Sequence, residues 1–138
     1  GVFSPFTPYV PYSNIDKMFF TQSDIIRKLA DEGPCVIIGR CADFILKDYP
    51  GTFSVYFHAN KKYRVGRVIR RYGIEPEQAY AEMSKVDKHR ANYYGYYTDA
   101  KWGEAMNYHM TIDSAKFGLE NTAQMLADIY RNQLCDKI

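Results

Sequence analysis

Pro34-Cys35-Val36-Ile37-Ile38-Gly39-Arg40 is the stretch on which the fold turns. Its middle, 35–38, is a short continuous apolar run between Gly33-Pro34 and Gly39-Arg40, which suits a strand buried on both faces of a parallel sheet. Upstream, Met18, Gln22, Ile25 and Leu29 recur at helical spacing with Phe19 and Ile26 beside them. They predict a helix over about 14–31, stopped by Gly33-Pro34. Downstream the pattern predicts a helix over about 42–47, a strand over 53–59, a helix over 61–72, a longer helix over about 76–97, a strand over 109–113 and a last helix over about 119–134. Pro5, Pro8 and Pro11 among aromatic residues resist helix, so 1–13 reads as a loop or linker ahead of one domain over 14–138.

Strands alternating with helices imply an α/β fold with a parallel sheet, whose ligands bind beyond the carboxyl ends of the strands. Those ends carry Arg40, His58 and Asp113. Three strands make a thin sheet, so at least one more core strand is expected upstream of Gly1.

Composition narrows the function classes. The chain has 138 residues, 46% apolar and 25% charged, enough for one domain with a real core. A net charge of +2 is too small for a dedicated nucleic-acid domain, which makes nucleic acid an unlikely partner. Cys35, Cys41 and Cys135 are odd in number and lack the CxxC spacing of zinc sites, so no metal site is expected and a reducing cytoplasm is the natural compartment. No apolar stretch reaches the roughly 20 residues of a membrane span, and no signal peptide opens the chain. The 13 tyrosines suit partly wet clefts and interfaces.

The strongest chemical signal lies in the predicted helix over 61–72. Val65, Val68, Ile69 and Tyr72 form one stripe for the core, and Arg64, Arg67 and Arg71 fall within about 60° of one another on another face. Guanidinium groups offer a planar, permanently charged fork that matches phosphate oxygens. The same row also fits a solvated face paired with carboxylates of neighbouring elements. Asp87 and Arg90 stand one helical turn apart, so Asp87 can orient Arg90 toward a polyanion, or the two form an ordinary intrahelical ion pair. Tyr93, Tyr94, Tyr96 and Tyr97 follow, as surfaces for a base or as packing for the helix.

These residues together resemble a known family. Pro34-Cys35-Val36-Ile37-Ile38-Gly39-Arg40-Cys41-Ala42-Asp43 is similar to the central strand segment of cytidylate-kinase-like proteins. The arginine helix with Arg64, Arg67, Arg70 and Arg71, the stretch Asp87-Lys88-His89-Arg90-Ala91-Asn92-Tyr93-Tyr94, then Tyr96-Tyr97-Thr98, Trp102-Gly103 and Ile112-Asp113-Ser114 follow in the family's order. The likeness covers most of 15–126 and lies in the joint pattern. It implies a P-loop NTPase-like three-layer fold with a parallel sheet and a helical lid at about 73–103. It implies transfer of the γ-phosphoryl of ATP to a nucleoside monophosphate such as CMP, with Mg²⁺. Carried across residue by residue, Arg40 and Asp43 would bind the acceptor, Arg64 and Arg67 the ATP, and Asp87 and Arg90 would form the D-x-x-R of the lid. Cys41 stands where related kinases place an acid directly after the arginine.

One part of the family pattern is missing. No G-x-x-x-x-G-K-[ST] loop occurs, although backbone N–H groups of such a loop cradle the phosphates. The first strand, that loop and part of the acceptor region are expected upstream of Gly1, and these 138 residues alone should not turn over ATP. A non-catalytic nucleotide- or polyanion-binding or regulatory module that has lost the loop is the other reading.

Overall fold

The computed structural model describes residues 13–134. The expected loop over 1–12 and Cys135 lie outside the described residues. Two compact units, Gly1–Ile45 and Leu46–Ile138, divide the chain.

In the first unit, helix α1 spans Asn14–Glu32. Ser13 and Asp16 start it with a reciprocal capping box, each side chain accepting from the other's backbone N–H at 3.1 and 3.2 Å. Gly33 ends it. Phe19, Ser23 and Ile26 form the buried face, and the short helix α2, Ala42–Ile45, packs against α1 with Ala42 buried. Met18, Ile25 and Leu29 are exposed, whereas their neighbours Phe19 and Ile26 turn inward.

A correction concerns the run at 35–38, which forms no strand; Val36 and Ile38 are 92% and 90% exposed. A strand exists only through a ladder to a neighbour, and among the described residues nothing supplies one. The turn after it is unusual. Gly39, Arg40 and Cys41 are all left-handed, with φ of 70°, 59° and 56°. For Arg40 and Cys41 this conformation costs roughly 1–2 kcal/mol each.

The second unit holds the sheet. Strands β1, Val55–His58, and β2, Met110–Asp113, run parallel with Val55 opposite Met110 and His58 opposite Asp113. Two parallel strands, flanked by helices, make a mostly helical α/β structure, consistent with an incomplete α/β fold and one strand short of the three expected. Ile112, 3% exposed, is the deepest strand residue. His109 fixes the entry: its Nδ1 lies 2.9 Å from the backbone N–H of Ser54, and its ring stacks on Phe53. At the other end Asp113 caps helix α5, Ser114–Phe117, by accepting from the N–H groups of Ala115 and Lys116, and Ser114 donates to the carbonyl of His58. Helix α6, Leu119–Ile129, follows and winds into a π-helical turn at Tyr130–Leu134.

Between the strands lie helix α3, Lys61–Tyr72, and helix α4, Pro76–Thr98, packed against each other. Asn60 caps α3 by accepting from the N–H of Tyr63 at 2.9 Å, and Gly73 closes it at φ 64° with its N–H on the carbonyl of Ile69. Pro76 opens α4, where a missing N–H costs nothing. The helix runs unbroken through Gly95 to a left-handed cap at Asp99.

Candidate functional site

The inward stripe of α4 is spelled by Ala79, Met83, Tyr94 and Thr98, all buried. Spacings of four and seven residues put Asp87 on that same face, toward α3. Arg64, in the first turns of α3, meets it with two parallel bonds: Nη1 to Oδ2 at 2.7 Å and Nη2 to Oδ1 at 2.8 Å. The side chains are 35% and 24% exposed, so water screens the pair only in part. The hydrogen bonds that Arg64 donates to Asp87 hold the guanidinium pKa above its ordinary value.

Arg90 sits one turn further along α4, 4.0 Å from Asp87 Oδ1 and 60% exposed. Spacing suggested that Asp87 orients Arg90. The bidentate geometry gives Asp87 chiefly to Arg64, and leaves the Arg90 guanidinium most of its donors. One carboxylate thus stands between two guanidinium groups, and the cluster keeps a net positive charge. Arg67 shares the arginine face of α3 but is exposed, as are Arg70 and Arg71, and among the described residues no carboxylate lies within ion-pair distance of these three. Both readings of the arginine row therefore apply, each to a different residue. The expected core stripe of α3 is half-buried at Val65, Val68 and Ile69, whereas Tyr72 is exposed.

A second clamp joins α3 to α4: Lys61 Nζ lies 3.4 Å from the centroid of the Tyr80 ring. The Tyr80 hydroxyl titrates below its usual range because it bonds to Ser84 and, next, to Lys61. Of the tyrosines after Arg90, Tyr94 is buried, and Tyr97 meets Tyr93 and Tyr96 edge-on at 4.9 and 4.8 Å. Tyr94 at least serves packing.

Tyr56 on β1 is the neighbour that sequence reasoning missed. Its ring packs edge-on against Trp102 at 5.6 Å and lies tilted by 31° against Tyr108 at 5.0 Å. Gly103 makes the room, since a Cβ there would lie 2.8 Å from the Tyr56 hydroxyl. Burial raises the phenol pKa above its ordinary value, and the charges of Arg64, Asp87 and Arg90 all act on it. The period-two alternation of β1 sets Tyr56 apart from Val55 and Phe57, which was the available signal.

Arg40 and Asp43 belong to the first unit, as part of the left-handed turn and of the first turn of α2. Arg40 is exposed, at the end of an unpaired segment instead of a strand. Beside it Cys41 is buried, and burial, followed by the charge of Asp43, pushes its thiol up to about 11. It is a protonated, unreactive packing group at neutral pH.

Among the described residues no three carboxylate, imidazole or thiol side chains gather as ligands for a metal ion. No described helix is long and apolar enough to cross a membrane.

A sequence model described as the cytidylate kinase-like family matches residues 6–116, well over half of the chain. The crystal structure of an uncharacterized protein from Eubacterium ventriosum superposes with a TM-score of 0.81 at 29% identity, covering 88% of this chain and 69% of that one. No curated protein matches.

Proposed function

Because the chain belongs to the cytidylate kinase-like family, we propose that it is part of a P-loop NTPase-like nucleoside monophosphate kinase that moves the γ-phosphoryl of ATP to CMP or a similar nucleotide. The observation that carries this reading is the Arg64–Asp87–Arg90 cluster, a pre-oriented cationic site shared by two helices. Phosphoryl transfer asks a protein mainly for positioning and for cations around the equatorial oxygens. Asp87 holds the Arg64 fork flat and fixed, so little ordering is left for the moment of binding. Arg90 has free donors and sits on α4, the helix of the proposed lid over about 73–103, and its role is to close on the transferring group. Arg67 adds charge on the ATP side, and Arg40 with Asp43 receives the acceptor.

The described residues hold no ready-made cage for Mg²⁺. A magnesium ion supplied with ATP keeps most of its ligands from phosphate and water, and no step is assigned to it here. These 138 residues contain no G-x-x-x-x-G-K-[ST] loop. The test compares CMP-dependent ADP production by these 138 residues with that of a longer parent carrying such a loop. No turnover is expected from the shorter chain and turnover from the longer, with Arg90→Ala in the parent lowering kcat by at least a hundredfold. Measurable turnover by the 138-residue chain overturns the division of labour.

The exposed, carboxylate-free Arg67, Arg70 and Arg71 favour a second reading, a non-catalytic polyanion-binding module. That module would bind single-stranded nucleic acid with a steep salt dependence, whereas the kinase part prefers mononucleotides.

A further inference from the structure

Four tyrosines follow Arg90 on α4, and of these only Tyr94 is buried; Tyr93 and Tyr97 are half-buried and Tyr96 is exposed. Tyr93 and Tyr97 stand three and seven residues beyond Arg90, so the three side chains share one stripe of the helix. Seven residues are two helical turns, about 10 Å along the axis. Tyr96 adjoins that stripe. Its ring is 72% exposed and meets the Tyr97 ring at 4.8 Å with the two planes at 88°, while Tyr97 meets Tyr93 at 4.9 Å on its other side. The rings form a right-angled corner with one wall open to water. Two turns away, the Arg90 guanidinium is 60% exposed and keeps most of its donors.

We propose that the corner of Tyr96 and Tyr97 binds the nucleobase of a mononucleotide whose phosphate is taken by Arg90. This rests on the phosphate-binding reading of the Arg64–Asp87–Arg90 cluster. Charge and shape together select the occupant. The cluster has two guanidinium groups for one carboxylate and calls for an anion, and the corner offers an aromatic face on which a flat ring stacks. A nucleotide joins those two features through its ribose. One open ring serves one base, whereas a strand of nucleic acid uses a succession of such platforms. Stacking tolerates any base, so the corner suits the adenine of a donor as well as the pyrimidine of an acceptor.

Isothermal titration calorimetry of the 138-residue chain at constant ionic strength separates the base from the phosphate. ATP is compared with inorganic tripolyphosphate and CMP with ribose 5-phosphate, so each nucleotide has a base-free counterpart. Wild type should bind at least one nucleotide about fivefold or more tighter than its counterpart, and that nucleotide identifies the source of the base. Tyr96→Ala should remove the advantage and leave the counterpart's affinity unchanged, and Tyr96→Phe, which keeps the ring, should retain it. The urea midpoint of both variants should match wild type, because the ring is mostly in water. Arg90→Ala should weaken nucleotide and counterpart alike. If wild type shows no advantage, or Tyr96→Ala keeps it, the corner is overturned and the arginine site stands. If Arg90→Ala binds the counterparts as wild type does, or wild type binds no probe at millimolar concentration, the phosphate reading falls and the corner with it. Tighter binding of a single-stranded oligothymidylate than of either nucleotide overturns the mononucleotide as occupant.

Discussion

The α3 and α4 pair and the segment from Pro34 to Cys41 deal with their polar groups in opposite ways. The helices satisfy their backbones internally, and where they touch they add the bidentate Arg64–Asp87 bridge and the Lys61–Tyr80 contact. The segment offers a row of N–H and C=O groups to no ladder, exposes Val36 and Ile38, and then folds through two left-handed non-glycine residues. Local bonding makes the first region self-sufficient, whereas the second has the sequence of a strand and no partner to make it one.

That contrast can be broken or sharpened by measurement. The largest effect is expected at Ile112, the buried strand residue: Ile112→Ala should lower unfolding free energy by about 3 kcal/mol in urea, the cost of a cavity in packed structure. Next comes Cys41, buried within the otherwise exposed segment. Its folded pKa of about 11 exceeds the free value of 9.0, so its contribution is fully present below pH 9 and is lost as pH rises through 11. The urea midpoint should decline across that window by the equivalent of about 2 kcal/mol, and Cys41→Ala should lack this part of the decline. An equal decline in the variant refutes the burial of the thiol.

Asp87→Ala strands the partly buried Arg64 and should cost about 1–2 kcal/mol, reduced from the fully buried case because water reaches the pair. Its Tm should fall by several degrees. The smallest effect separates the two regions most clearly. Val36→Ser should change stability by no more than about 0.5 kcal/mol in this chain, because Val36 is already in water. A loss of several kcal/mol there would mean that the apolar run is buried after all.

Much of the secondary structure was legible. The helix over 61–72 and the long helix beginning at Pro76 fall where capping, periodicity and glycine stops put them, because Asn60, Gly73 and Pro76 act on their own neighbours. The strands near 55 and 110 were found too, one to three residues longer than they are. The run at 35–38 was misread as a realised strand, since apolar composition states a preference and only a paired neighbour realises it. On α1, the helical spacing of Met18, Ile25 and Leu29 marked the helix itself, and the residues it buries are their neighbours Phe19 and Ile26. In the candidate site, Asp87 and Arg90 were visible through i, i+3 spacing, and Arg64 through its cluster. Tyr56 was passed over: the alternation of β1 sets it apart from its neighbours, but the rings and the glycine that pack on it, Trp102, Tyr108 and Gly103, come from far along the chain.

The sequence by itself determined where helices start and stop, that the chain joins strands in parallel, and that arginines crowd one helix face. The helix ends and the arginine face follow from contacts within a few residues, and the parallel sense from the helices that separate the two strands. Only the tertiary structure decided which arginine Asp87 would hold, from 23 residues away, and which were left free to meet a ligand. Two guanidinium groups at different sequence distances compete for one carboxylate. The packing of α3 on α4 lets Arg64 approach it with both nitrogens, whereas Arg90, on the same helix as Asp87, reaches it only at 4.0 Å.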